Sequence, residues 1–332
     1  MPSTVSPQPP SRVLLAPMAG VTDWPFRRQA VRFGATYVVA EMTAGAQLVE
    51  ARPDAMRRIA RAPGSAPLVI QLAGREAEWM ARGALVAQDH GADVLDINMG
   101  CPAKQVTNGA AGSALMRDPC HALTLIEAVV RVARVPVTLK MRLGWDCASR
   151  TAPEIAKRAQ DAGVSMIVIH GRTRQQFYKG AADWEAIGET VRAVNIPVIA
   201  NGDITSTADA RRALALSGAA GVMIGRATQG RPWLPAAIER ALTTGGDAIA
   251  PSRDAICASL LDLFDDTIEF YGPMHGLRIA RKHIASTIAA ELTELSAEQQ
   301  RQARAEIFAL ENASAVRAAI ADLFQTERRL AA

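Results

Sequence analysis

Eight short apolar runs recur along the chain, each followed by a stretch whose apolar residues fall at helical spacing. They read Val13–Met18, Tyr37–Met42, Leu68–Leu72, Val94–Met99, Val137–Met141, Met166–His170, Val198–Asn201 and Gly221–Gly225. Runs that do not alternate with polar residues suit strands buried on both faces of a parallel sheet. Eight strand–helix units at spacings of roughly 25–45 residues predict a (β/α)8 TIM barrel over residues 13–244. An open doubly wound sheet would show fewer strands and a Gly-rich first turn, which Pro17-Met18-Ala19-Gly20 is not. Near 245–251 the rhythm stops. Beyond it Ile256-Leu260-Leu261-Phe264 and Ala315-Ala318-Ile320-Leu323 keep helical spacing without a strand signal, predicting a small helical bundle over 252–330 hinged at Gly245-Gly246. Residues 1–12, rich in Pro and Ser, read as a flexible extension.

Several predicted strands end in a polar or reactive residue: Gln71, Asn98 to Cys101, Lys140, His170, Asn201 and Arg226. A barrel brings every strand's C-terminal end to one rim, so residues distant in sequence converge there. One such residue is most often a satisfied core group. Six at equivalent ends point to an active site.

Composition narrows the class. Hydrophobic residues make up 49 % and charged residues 21 %, ordinary for a well-packed enzyme. Aromatics are only 5 %, so the core rests on aliphatic side chains and Ala. The net charge of +4 and pI near 9.1 permit a polyanionic partner without demanding one. Four cysteines match no zinc motif or disulfide framework. Neither a signal-peptide pattern nor an eighteen-residue apolar run is visible, so a cytoplasmic protein with no membrane partner is expected.

In Asn98-Met99-Gly100-Cys101-Pro102, glycine and proline turn the chain off its strand and present Cys101 at the rim. Thiols, with an ordinary pKa of about 8.5, are mostly protonated at neutral pH and can serve as general acids. Lys140 at a strand end calls for an anion: it could form a Schiff base or balance a bound cofactor such as reduced flavin. Asn201-Gly202-Asp203 and Gly225-Arg226, after the last two strands, suit a phosphate. FMN meets all these requirements.

Leu15-Ala16-Pro17-Met18-Ala19-Gly20-Val21-Thr22-Asp23, Asp96-Ile97-Asn98-Met99-Gly100-Cys101-Pro102-Ala103-Lys104, His170-Gly171-Arg172-Thr173-Arg174 and Asn201-Gly202-Asp203-Ile204 together resemble the tRNA-dihydrouridine synthases. The similarity runs from Val13 into the helical tail. Phe270-Tyr271-Gly272-Pro273 with Arg278 to His283 further resembles the bacterial B branch. The resemblance implies FMN contacts from Pro17, Met18, Ala19, Gln71, Lys140, His170, Asn201, Gly202, Asp203, Gly225 and Arg226. It implies that Cys101 protonates C5 of a D-loop uridine, position 17 in the B branch, while the flavin reduces C6, with NADPH as donor. Asn98 is then placed on the uracil edge. Arg172, Arg174, Arg278, Arg281 and Lys282 are expected on tRNA, the last three in a cationic face beside His275 and His283. No metal and no obligate protein partner are expected, and the chain is read as a monomer.

Three other readings share some of these residues. A small-molecule flavin reductase of dihydroorotate or ene type would use the same barrel, but the helical tail and the Arg278 cluster would be superfluous. A lysine-dependent aldolase would need no flavin. An RNA-binding protein without catalysis would need neither Cys101 nor Lys140.

Overall fold

In a computed structural model, residues 11–62, 64, 66–107 and 110–330 are described. Nine parallel strands follow the predicted runs: β1 (Val13–Leu15), β2 (Val38–Val39), β3 (Thr43–Ala44), β4 (Leu68–Ala73), β5 (Val94–Met99), β6 (Val137–Arg142), β7 (Met166–His170), β8 (Val198–Asn201) and β9 (Gly221–Ile224). Their order is β2-β1-β9-β8-β7-β6-β5-β4, and β2 also pairs with β4, which closes an eight-stranded barrel. The run predicted over Tyr37–Met42 splits: β2 ends at Val39, the chain swings out through Glu41, and β3 rejoins the upper end of β4. Where the ladder is interrupted, the Glu41 carboxylate accepts from the Gly20 N–H at the rim.

Helices cover the barrel. The first, Trp24–Arg32, opens as its sequence predicts: the Asp23 carboxylate accepts from Phe26 N–H at 3.2 Å and Pro25 occupies the first turn. The helix after β9 is Leu234–Thr244. The main apolar layer lies between strands and helices, with Ile70, Leu95, Leu139, Ile167 and Ile224 against Ala84, Leu125, Ile155 and Ile238. Inside the barrel a smaller cluster, Leu14, Tyr37, Val69, Met166, Ile199 and Met223, fills the lower half. Above it the inward positions turn polar.

The tail consists of four helices, Arg253–Tyr271, Pro273–Glu291, Ala297–Ala309 and Ala313–Leu330, around Ile256, Leu260, Phe264, Ile284, Ile288, Ile320 and Phe324. Gly245 and Gly246 adopt φ of 83° and 80°, but the segment they open is tied down: Arg211 donates to the Gly246 carbonyl and Ala248 N–H to Thr207 Oγ1 at 2.9 Å. Leu263 inserts among Leu15, Phe26 and Val38, Arg28 pairs with Asp266, Arg32 with Asp262, and Tyr271 donates to Asp23 at 3.1 Å. The expected hinge is therefore a fastened joint, because the tail's first helix completes the core under the barrel's first helix. Of the extension expected over 1–12, residues 1–10 lie outside the described residues. Ser11 and Arg12 belong to the barrel: Ser11 Oγ and Arg12 N–H both donate to Glu239. No helix among the described residues is long and apolar enough to cross a membrane.

Candidate active site

Strand alternation places Thr138, Lys140 and Arg142 of β6 on one inward face, beside Asp96 and Asn98 of β5 and Gln71 of β4. The barrel mouth above them is a cavity of about 500 Å³. Pro17, Met18, Ala19, Gln71, Asn98, Cys101, Lys140, His170, Asn201, Gly202, Asp203, Gly225 and Arg226 all line it.

Hydrogen bonds orient this wall from below. Asp96 is buried, and its carboxylate accepts from Thr138 Oγ1 and Gln71 Nε2, both at 2.6 Å. With its Nε2 so committed, Gln71 turns Oε1 to accept from Asn98 Nδ2 at 2.8 Å. The Asn98 Oδ1 then accepts from Gly100 N–H at 3.2 Å and Cys101 N–H at 3.0 Å. Asp96 thus fixes the polarity of two amides in series, and with it the loop bearing the thiol. Burial raises the Asp96 pKa, while Gln71, Thr138 and Lys140 act against that rise.

From the other side the Cys101 carbonyl accepts from Ser113 Oγ at 2.9 Å and Ser113 N–H at 3.0 Å, and Arg142 Nε donates to the Gly100 carbonyl at 2.8 Å. Gly112, at φ 58°, permits that approach, since a Cβ there would stand 2.8 Å from the Cys101 carbonyl oxygen.

Lys140 Nζ donates to Asn201 Oδ1 at 3.1 Å, an orientation set by Asn201 Nδ2 donating to the Met223 carbonyl at 2.8 Å. Burial and then the neighbouring Arg142 pull the Lys140 ammonium down to about 8, with Asp96 and Cys101 acting against them. His170 is held well below the ordinary histidine value by burial first, then by Lys140, Arg142, Arg172 and Arg226. It is neutral, and because Arg172 Nη1 donates to its Nε2 at 3.3 Å, the proton sits on Nδ1. On the cavity lining Lys140, Arg142 and Arg226 outnumber the one carboxylate, Asp203.

Two predicted contacts change role. Arg172 is only 2 % exposed and spends its guanidinium on the Lys179 and Gly180 carbonyls, His170 and the Asp203 carboxylate. It is a pocket brace and not a tRNA contact, since no donor is left at the surface. The Asp203 carboxylate is likewise held by Arg172, Arg226 and the Ala182 N–H, leaving its backbone for a ligand. Gly202, at φ 118°, lets that backbone pass His170, whose Cδ2 would lie 2.8 Å from an added Cβ.

On the tail, Arg278 and Arg281 are exposed, and Arg281 donates to the Phe308 carbonyl at 2.7 Å. Lys282 lies close enough to Asp23 and Glu41 to oppose the rise that burial imposes on both carboxyls. His283 does not join this face: it is buried against Phe26 and pushed down to about 3 by burial, hence neutral. Arg174 stacks on Trp145, 5.0 Å from the ring centroid.

Sequence reasoning missed Asp96, Thr138, Arg142, Glu41, Phe177 and Tyr178. A period of two from Lys140 points to Thr138 and Arg142, and the same period from Asn98 to Asp96. Glu41 carries no such signal, because its strand breaks at that residue.

Residues 14–325 match the family described as dihydrouridine synthase (Dus). The chain belongs to that family. It is 54 % identical to a probable tRNA-dihydrouridine synthase of Rhodobacter capsulatus over 87 % of this chain and 90 % of the relative. It is 46 % identical to the tRNA-dihydrouridine synthase B of Xanthomonas campestris over 85 % and 84 % of the two chains, and equally to that of Pseudomonas putida over 84 % and 83 %. The chain is accordingly a flavin-dependent oxidoreductase of tRNA.

Proposed function

We propose that the flavin is FMN, that NADPH reduces it, and that the enzyme converts one D-loop uridine, position 17, to dihydrouridine with Cys101 as the acid. The fit to FMN is supported by a largely buried ammonium, Lys140, whose hydrogen-bond partner is a neutral amide, facing a cavity with surplus positive charge. Such a group lowers its free energy when an anion arrives. Lys140 would hold the flavin's anionic pole, the Asn201–Asp203 and Gly225–Arg226 backbones its phosphate, and the loop Pro17–Ala19 its ring. The loop is firm: Met18 N–H donates to Thr22 Oγ1 at 2.8 Å and Gly20 N–H to Glu41. When bound, the flavin supplies the hydride that C6 receives.

The chain's own residues do the rest. Cys101 gives its proton to C5, so that the double bond gains two hydrogens. Asn98, with Nδ2 on Gln71 and Oδ1 on the Cys101 loop, sets where the thiol stands and presents its remaining N–H to the uracil edge. Arg174, Arg278, Arg281 and Lys282 supply charge for tRNA phosphates.

The observation that carries this reading is the thiol and the buried ammonium on one cavity wall, with the thiol's loop anchored on both sides. Incubation with FMN, NADPH and tRNA, followed by digestion and mass analysis, should show the mass of two hydrogens gained at one D-loop position and abolished by Cys101→Ala. A reducible flavin with no gain on any tRNA would instead favour a small-molecule substrate.

A further inference from the structure

We propose that Phe177 forms a stacking site, at the mouth of the active-site cavity, for the nucleobase next to the uridine being reduced; this rests on the chain's acting on tRNA. Phe177 has φ 55°, a left-handed backbone that bulky side chains avoid. Every main-chain interaction there could be made by glycine: Phe177 N–H donates to the Arg174 carbonyl at 3.0 Å, and its own carbonyl accepts from Arg142 Nη1 at 2.7 Å. Gly180, three residues on, takes a similar φ of 66° and is a glycine. The backbone explains the turn but not the phenyl ring.

Burial does not explain it either. The ring is 42 % exposed and belongs to none of the hydrophobic clusters. It meets Tyr178 edge-to-face, centroids 4.8 Å apart at 82°, and Tyr178 is itself 47 % exposed. Two adjacent exposed aromatics on the cavity lining are uncommon in a chain with so few. Strain kept at a functional mouth, with only the edge contact to Tyr178 to offset it inside the folded chain, points to a partner outside it.

The surroundings say what kind. The Arg142 and Arg226 guanidiniums lie over the Tyr178 ring at 5.5 and 5.3 Å, so the aromatic pair is flanked by cations. Aromatic faces beside positive charge are how proteins grip single-stranded nucleic acid. A uridine withdrawn from its stack leaves a neighbour with one face bare. The target base must go deeper, to Cys101, so the ring at the mouth meets that neighbour.

The test uses full-length holoenzyme with Phe177→Gly and Phe177→Trp. Glycine accepts φ 55°, so Phe177→Gly should keep or raise the thermal midpoint while KM for tRNA rises about tenfold, as expected for loss of one base–aromatic stack. Phe177→Trp should restore KM. A tRNA lacking the base beside the target should weaken the wild type but not Phe177→Gly. Unchanged KM in Phe177→Gly, or a loss shared with flavin content or thermal midpoint, overturns the stacking site. No dihydrouridine from wild type on any tRNA refutes the tRNA reading and the stacking site together, whereas an active wild type with an indifferent Phe177→Gly refutes the stacking site alone.

Discussion

Replacing Lys140 by methionine should stabilise the flavin-free protein and destabilise its flavin complex. The ammonium is drawn from an ordinary 10.5 to about 8, chiefly by burial. At 1.36 kcal/mol per pH unit, that places about 3 kcal/mol against the fold at pH 7. Methionine has similar length and carries no charge. Its one direct loss is the bond to Asn201 Oδ1, about 1 kcal/mol, because water in the open cavity can replace the donor. Lys140→Met should then be more stable by about 2 kcal/mol at pH 7.

The sign with pH follows from the lowered value. Between about pH 8 and 10.5 the unfolded lysine holds a proton that the folded one has released, so wild-type stability rises with pH across that window. At pH 9.5 the ionisation penalty should fall to roughly 1 kcal/mol, and the variant's advantage should shrink by about 2 kcal/mol. Groups common to both proteins cancel in the comparison. Urea unfolding of both flavin-free proteins at pH 7 and 9.5 measures this directly. With FMN added the order should reverse, because the anion faces lysine in one protein and a thioether in the other. A variant no more stable than wild type at pH 7, or an advantage indifferent to pH, refutes the claim that Lys140 is a strained cation awaiting an anion.

Asp96→Asn should lower turnover on tRNA at least tenfold with little change in KM. An amide can donate to Gln71, reverse both amides and release the Cys101 N–H; single-turnover assays on pre-reduced enzyme report the step involved. Gly112→Ala should destabilise by about 1–3 kcal/mol, through its φ of 58° and a Cβ 2.8 Å from the Cys101 carbonyl oxygen, seen as a lower urea midpoint. Arg278→Ala and Arg281→Ala should each flatten the dependence of log KM for tRNA on log salt by about 1 where the side chain meets a phosphate, whereas Arg172→Ala should lower thermal stability. An unchanged slope in both tail variants would remove that helix from the RNA interface.

What was legible in the sequence follows from which physics is local. Parallel strands buried on both faces must be apolar runs, so eight runs gave the barrel, and barrel geometry then placed the rim residues on one cavity without any knowledge of contacts. The break after Val39 was not legible; where it falls, Glu41 reaches the Gly20 N–H across the rim, a contact between residues distant in sequence. Arg172 misled for a related reason. Beside Arg174 in sequence it reads as surface charge, yet β7 ends at His170 and the chain folds back over the cavity wall, where Arg172 meets carbonyls and Asp203. Arg174, two residues on, comes out against Trp145.

Asp96 shows where such reading stops more sharply. A carboxylate in an apolar strand would ordinarily count against a core position. Here it takes two short hydrogen bonds, and the direction of those bonds, not its charge at the rim, is what reaches Cys101. Amide polarity passed through Gln71 and Asn98 leaves no trace in composition or periodicity, because asparagine and glutamine look the same from either end. The strand alternation tells which residues face inward; only the chain of donors and acceptors tells which of them command the thiol.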